Sequence, residues 1–350
     1  YRELVKNHQV LFCSFQRQYP ALLYPGDSDK DPADSRLMDE TVIPTIDSMN
    51  PISWRLTSQK IADFRPDILV VPWWVMFWAP VFICIIRGVK RRSKATRIVF
   101  VCHNVVAHEP SWTSTLLTRL TLKHGDGFLV HSGLEKRDLR AMIGSANIVQ
   151  AELPVDKFPD AGAVDSEQAR QRLCISGNCL LFFGFVRPYK GLAVLLDAMP
   201  LILAKVPCQL VVAGEIWGDA STFTRQIESL GIKDHVRIVG SYVKQADVAD
   251  YFHASDLVIL PYLSATGSGV VKLAYSYGRP VLVTNVGSLP AAVIPGRTGH
   301  IVEPGDENAL ADAVIQHFGM KNTVDFTEAV EEYRQTFSWL QLMCQFDALI

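Results

Sequence analysis

The sequence predicts an α/β protein built from two doubly wound domains, and three observations carry that prediction. Short apolar runs alternate with helical stretches through both halves. A proline-rich break separates the halves. The length, 350 residues, is more than one ordinary core holds and suits two α/β domains of similar size.

In the first half, strands are expected at 9–15, 67–71, 97–102, 127–131 and 148–152. Helices are expected between them at 53–64, 80–91, 114–123 and 134–142. Asn50-Pro51 places an N-cap residue before a proline at the first helical position, a start signal for the helix that carries Trp54. Strands alternating with helices imply a parallel sheet covered on both faces. The run 153–159, with two prolines, and the small acidic stretch that follows it read as a linker. The boundary is set at 158/159, giving domains 1–158 and 159–350. The second half repeats the alternation, with strands at 179–185, 209–213, 236–239, 257–260, 280–284 and 299–302. Its helices fall at 191–204, 222–230, 248–254, 268–277 and 307–318, and a last helix, 328–350, is expected to return towards the first domain.

Composition narrows the function classes. Hydrophobic residues make up 49% and charged residues 20%, which supports a packed interior rather than disorder. A formal net charge of −2 gives no support to a global grip on nucleic acid. The 7 cysteines form no CxxC pair and mostly sit in apolar runs. They read as reduced, buried thiols of a cytosolic protein, not as a disulfide frame or a zinc site. The stretch 68–86 is apolar enough to raise a membrane span, but Pro72 and Pro80 interrupt it. A buried strand, a loop and a helix from about Ala79 are expected instead. The cationic run Arg87 to Lys94 follows. It is either a solvated helix terminus or a contact for anionic headgroups on the inner face of a membrane.

Three places could carry chemistry. Ser264 to Val271 holds Thr266, Gly267, Ser268 and Gly269 at a strand-to-helix turn. Small residues there expose backbone N–H groups, and a helix N-terminus adds partial positive charge, so the turn suits a diphosphate. The plainer reading is a tight turn whose glycines serve packing. In Phe183 to Gly191 a strand ends at Gly184, and Arg187 and Lys190 precede a helix. Both cations are expected to point into the space above the strand ends, where open α/β sheets bind ligands. There they would stabilise the charge of a departing diphosphate. A solvated surface loop is the alternative. His103 and Asn104 follow the buried strand 97–102, a usual address for functional groups. A structural histidine is the alternative there. His108-Glu109 could support the same loop, and His131-Ser132 close the next strand. Asp27-Ser28-Asp29 invites a metal-dependent reading, but such acidic loops are usually just solvated, and no metal requirement is expected.

Together these residues resemble glycosyltransferase family 4, the retaining GT-B enzymes. The likeness covers nearly the whole chain. It is strongest in FFGFVRPYKG (182–191), in the stretch 253–314 from HASDLVILPY through PGDENALADAV, and in VFVCHN (99–104). It implies the GT-B fold, two Rossmann-like domains facing each other across a cleft. It also implies hexose transfer from a nucleotide-diphosphate sugar, UDP- or GDP-linked, to a sugar or lipid-linked acceptor, in a bacterial branch that assembles polysaccharide or glycolipid. By the resemblance, Lys190 with Arg187 and the backbone of 267–269 grip the diphosphate, and His103 contacts the reacting sugar. Gly184, Glu215 and Val270 fall to the nucleotide or sugar, and Asn104, His131 and Trp74 to the acceptor side. No cofactor is implied beyond the nucleotide-sugar substrate. The chain departs from the pattern where many members carry two glutamates, since Thr266 and Ala274 stand there, and Phe185 replaces an arginine. The family's opening strand and glycine-rich loop are not found before residue 9, so a shortened start is expected. A non-catalytic sugar-nucleotide-binding protein and a GT-B-like epimerase or phosphorylase remain alternatives.

Overall fold

The computed structural model describes residues 1, 3–19, 42–105, 111–144, 146–152, 154–155, 165–265, 267–337 and 339–349. Thr266, the Asp27-Ser28-Asp29 triplet and His108-Glu109 lie outside these described residues. The chain divides into two compact units, Tyr1–Leu153 with Trp339–Ile350, and Pro154–Ser338. The dividing point thus falls a few residues before the expected 158/159. The returning segment is also shorter than 328–350, because a helix break after Gln335 leaves the preceding turns with the second unit.

In the first unit, β1 (Phe12–Arg17) and β2 (Val42–Asp47) pair in parallel as a separate two-stranded sheet. The sequence pattern gave no strand at 42–47, where Pro44 interrupts the run. A two-stranded sheet leaves each strand an open edge, where a residue without an N–H is tolerated. Helix α1 (Pro51–Phe64) starts where expected, with the Asn50 side chain accepting from the Ile52 amide at 3.0 Å. The apolar stretch 68–86 resolves into β3 (Ile68–Trp73), a 3-10 turn (Met76–Trp78) and α2 (Ala79–Arg92). Among the described residues no helix is long and apolar enough to cross a membrane. Next come β4 (Arg97–Cys102), α3 (Trp112–Leu122), β5 (Gly127–Val130), α4 (Gly133–Ile143) and β6 (Ile148–Gln150). Strands β3-β4-β5-β6 form one parallel sheet in that order.

The second unit holds α5 (Ser166–Arg172), a segment just past the expected linker to which the sequence reading gave no element. It continues with β7 (Asn178–Phe183), α6 (Leu192–Leu203), β8 (Cys208–Ala213), α7 (Ser221–Ser229), β9 (Val236–Val239) and α8 (Gln245–Ala254). Then follow β10 (Leu257–Leu260), α9 (Gly269–Ser276), β11 (Val281–Thr284), β12 (Gly299–Val302), α10 (Glu307–Met320) and α11 (Phe326–Gln335). The six strands lie parallel in the order β12-β11-β10-β7-β8-β9. Counted within this unit, that is the 3-2-1-4-5-6 order of a doubly wound sheet, with its switch point between β7 and β10. Every residue of β10 and β11 is buried, as expected of strands covered on both faces.

The last helix, α12 (Trp339–Asp347), belongs to the first unit. Leu342, Phe346 and Leu349 pack with Val99, Leu129 and Ala151 on one face of its four-stranded sheet. A Cβ at Gly127 would stand 3.2 Å from the Leu349 side chain, so the missing side chain makes room for that contact.

Candidate functional site at the switch point of the second sheet

Neighbouring strands whose connections run to opposite sides leave a crevice at their carboxyl ends. In the second unit that crevice lies above β7 and β10, which pair at Leu180↔Leu257 and Leu181↔Val258. Gly184 follows β7, and its φ of +96° belongs to the left-handed region that favours glycine. A Cβ there would sit 3.4 Å from the Lys190 Nζ and 3.7 Å from the Val270 side chain. The structure therefore brings Gly184, Lys190 and Val270 together around one small space.

Lys190 reaches this space because Pro188–Lys190 form a 3-10 turn before α6. Gly191 ends that turn with φ +70°, and a Cβ on it would meet the Pro261 carbonyl oxygen. The Leu263 amide donates to the Tyr189 carbonyl at 2.7 Å, tying this turn to the loop after β10. Lys190 is buried, and the desolvation, followed by the nearby Arg187 charge, pulls its pKa down to about 8. Its Nζ lies 5.5 Å from the Tyr262 ring centroid.

Arg187 differs from the expectation that both cations point into the crevice. It is exposed, and its guanidinium carbon lies 4.5 Å from the Trp217 ring centroid. Trp217 in turn packs against Phe185, with centroids 4.8 Å apart and the rings tilted by 40°. The backbones of the loops after β7 and β8 are laced together here. The Val186 amide donates to the Glu215 carbonyl at 2.8 Å, and the Trp217 amide to the Val186 carbonyl at 3.0 Å. Glu215 is thus placed by its backbone, with a half-buried side chain.

The glycine-rich turn forms the other wall. Ser268 is the N-cap of α9, and its hydroxyl oxygen accepts from the Val270 amide at 3.2 Å. That hydroxyl also meets the Tyr262 hydroxyl at 3.2 Å. Among the described residues, the Gly267, Ser268 and Gly269 amides have no acceptor. They leave a row of N–H groups at a helix N-terminus, a favourable seat for an anion. Ala274 is fully buried in the core of the unit, so this helix position offers nothing to a ligand.

In the first unit, His103 is exposed just after β4, and its amide donates to the Trp73 carbonyl at 2.8 Å. Its ring centroid lies 5.0 Å from that of His131, which follows β5. The Glu135 carboxylate accepts from the His131 amide at 2.8 Å, and the His131 Nδ1 lies 3.0 Å from the Ala151 carbonyl oxygen. Asn104 is half-buried beside His103. Trp74 is half-buried and joins an aromatic cluster. Its indole N–H donates to the Tyr19 hydroxyl at 3.3 Å, and its ring is 6.0 Å from that of Trp78. Lys90 and Arg92 of the basic run reach Asp126 and Asp63 at 3.1 and 3.6 Å.

Sequence reading missed Tyr262, Trp217 and Glu135 as partners of the candidate residues. Tyr262 and Trp217 each stand just past a strand end, and that position was the available signal. A separate concavity of about 430 Å³ lies at the opposite, amino ends of β10 and β11, lined by Asp256, Arg279, His317, Lys321 and Asp325 among others.

Comparisons with known proteins agree with this architecture. Residues 177–320 match the family model described as "Glycosyl transferases group 1". D-inositol 3-phosphate glycosyltransferase of Corynebacterium glutamicum (strain R) is 27% identical over 212 residues, 58% of this chain and 50% of the relative. The chain spans about half the length of the curated relatives it matches. The sucrose-phosphate synthase of Thermosynechococcus elongatus shares its fold, with TM-score 0.67 and 20% identity over 88% of this chain and 79% of that one. Anabaena HepE, solved in complex with UDP-glucose, gives TM-score 0.63 and 16% identity over 83% and 81% of the two chains. With a doubly wound sheet in the second unit and a parallel sheet in the first, the chain has the GT-B fold, and its residues 177–320 are similar to the group 1 glycosyl transferase model.

Proposed function

We propose that this chain is a retaining hexosyltransferase that binds a nucleotide-diphosphate sugar at the switch point of its second unit. The observation that carries the reading is the buried Lys190 ammonium beside the first turn of α9. Among the described residues it has no carboxylate partner, and the adjoining helix-end amides have no acceptor. A buried cation without a counter-charge is costly, and a diphosphate at this spot supplies the missing charge. The proposed donor is a UDP- or GDP-sugar; the Anabaena protein of like fold was solved with UDP-glucose.

In the proposed step, the acceptor hydroxyl oxygen bonds to the anomeric carbon on the face the nucleotide leaves. The bond from that carbon to the β-phosphate oxygen breaks, and the diphosphate departs with the electron pair. The acceptor proton passes to the departing phosphate oxygen. Lys190, the 267–269 amides and, from the rim, Arg187 stabilise the charge that develops there. Thr266 is proposed as a further diphosphate contact. Glu215 is assigned to the nucleotide or sugar, His103 to the transferred sugar, and Asn104, His131 and Trp74 to the acceptor side. The acceptor class is a sugar or lipid-linked sugar of cell-surface polysaccharide or glycolipid assembly. The chain is placed in the cytoplasm, with contact to the inner membrane face through 87–94, and no metal takes part.

Isothermal titration of UDP, GDP and ADP into the wild-type chain and Lys190→Ala tests the site. One of the first two is expected to bind the wild type, and Lys190→Ala to lose it. Equal affinity in the two proteins would refute the assignment. Product analysis with and without acceptor, with excess chelator present, separates transfer from epimerisation and tests the metal-free mechanism.

A further inference from the structure

Both cations of the switch point are seated on aromatic rings, Lys190 on Tyr262 and Arg187 on Trp217. A carboxylate would hold a cation more firmly, but it would also neutralise it. A ring face attracts a cation by about 0.5–2 kcal/mol and leaves its outward N–H groups free. Of the two rings, Tyr262 is the one fixed from every side. It is 3% exposed, and its carbonyl oxygen accepts from the Thr284 hydroxyl at 2.6 Å. Tyr189 meets it edge-on, with centroids 6.2 Å apart. Its hydroxyl reaches Ser268, whose own oxygen caps α9.

We propose that Tyr262 is a positioning residue for the donor diphosphate, setting the spacing between the Lys190 ammonium on its ring and the α9 amides held through Ser268 on its hydroxyl. The proposal rests on the reading of this crevice as a diphosphate site. Burial pushes the Tyr262 hydroxyl up to about 12, so it stays a neutral hydrogen-bonding group and takes no part in proton transfer. The role differs from generic core packing because it acts through the electrostatics of the ring face. Fluorination drains that face of negative charge with little change of shape.

The test replaces Tyr262 by phenylalanine and by progressively fluorinated phenylalanines. The nucleoside diphosphate that binds the wild type is titrated from about pH 6.5 to about pH 9, with Lys190→Ala alongside. Tyr262→Phe is expected to lose two- to threefold in affinity, the share of the Ser268 contact. Fluorination is expected to weaken binding stepwise, by about tenfold in all, and to move the alkaline loss of binding to lower pH. A fluorination series flat in both affinity and pH profile, while Lys190→Ala loses binding, overturns the positioning role. If Lys190→Ala binds as the wild type does, the diphosphate reading itself falls.

Discussion

The two ends of the second unit's sheet both gather cations, but they treat them oppositely. At the amino ends of the strands, Asp256 collects them. One carboxylate oxygen accepts from Arg170 and from the Cys179 amide, each at 2.8 Å, and the other from Lys321 at 2.7 Å. Burial alone would raise the Asp256 carboxyl, but Lys321, the Cys179 amide and Arg170 outweigh it and hold it below the ordinary carboxylate range. His317 adds no charge to this wall, since burial and the neighbouring His300 bring its pKa down to about 3. At the carboxyl ends, Lys190 and Arg187 rest on rings and keep their charge unspent. The lesson is that counting cations does not find a ligand site. What they are paired with does: charge matched inside the protein is scaffold, and charge left unmatched in a crevice is available to a ligand.

The sharpest way to break this contrast is to remove one cation from each end. Lys190→Ala is expected to lower kcat/KM at least 100-fold, in line with removing one charge-stabilising donor from a pre-organised site. It should do so without loss of stability, because a buried unpaired ammonium is itself a burden on the fold. Steady-state kinetics together with urea denaturation check both halves of that statement. Asp256→Ala should do the reverse. It strands Arg170 and Lys321 and leaves the Cys179 amide without its acceptor, so a loss of about 3 kcal/mol in urea is expected, with nucleotide affinity changed less than threefold. Because the folded carboxyl titrates below its unfolded value, the wild type holds this contribution above about pH 4. It loses the contribution as pH falls through the folded value, and the variant should lack that acid-dependent step.

How much of this was legible beforehand follows the same division. Strands at 97–102, 236–239, 257–260 and 299–302 match their expected bounds; residues 98–100 and all of 257–260 are buried apolar runs, whereas Arg237 and His300 interrupt the other two, which flanking turn residues delimit. β2 escaped because Pro44 breaks such a run, and α5 because six polar residues around the single buried Ala169 carry little apolar periodicity. At the candidate site, Gly184, Lys190 and the 267–269 turn stood out by their place at strand ends, where a packing turn and a solvated loop were the alternatives, and the structure gathers Gly184, Lys190 and Val270 around one space. Tyr262 did not stand out. Its importance comes from touching Lys190, which is 72 positions away in sequence, and Ser268 at once, and no local pattern reports such a meeting.

A change of pH sharpens the contrast without any mutation. The folded Lys190 titrates near 8, against an ordinary value of 10.5. Below about pH 8 the folded chain carries the ammonium at a cost. Between about pH 8 and 10.5 the unfolded chain binds more protons than the folded one, so this group makes stability rise with pH across that window. Diphosphate affinity should move the other way, falling up to tenfold per unit above about pH 8 as the charge is lost. Opposite slopes of unfolding free energy and nucleotide affinity over this range are the expected signature. Lys190→Ala should flatten both. Parallel slopes in the wild type would mean that another group governs binding.

The smallest expected effect falls on Arg187, and its size is informative. The side chain is exposed, so solvent screens its charge, and an exposed cation–π contact is worth only about 0.5–1 kcal/mol. Arg187→Ala should therefore weaken nucleotide binding only about three- to tenfold and lower stability in urea by no more than about 1 kcal/mol. Removing its charge should also let the Lys190 pKa rise, because Arg187 is the second cause of the depression after burial. The alkaline loss of binding should then move to higher pH in Arg187→Ala, even though its affinity at neutral pH is lower. Calorimetric titrations across the same pH window read both effects at once. If the loss matched that of Lys190→Ala, the guanidinium would have to leave Trp217 and enter the crevice when the nucleotide binds, and the division between a buried and a rim cation would no longer hold.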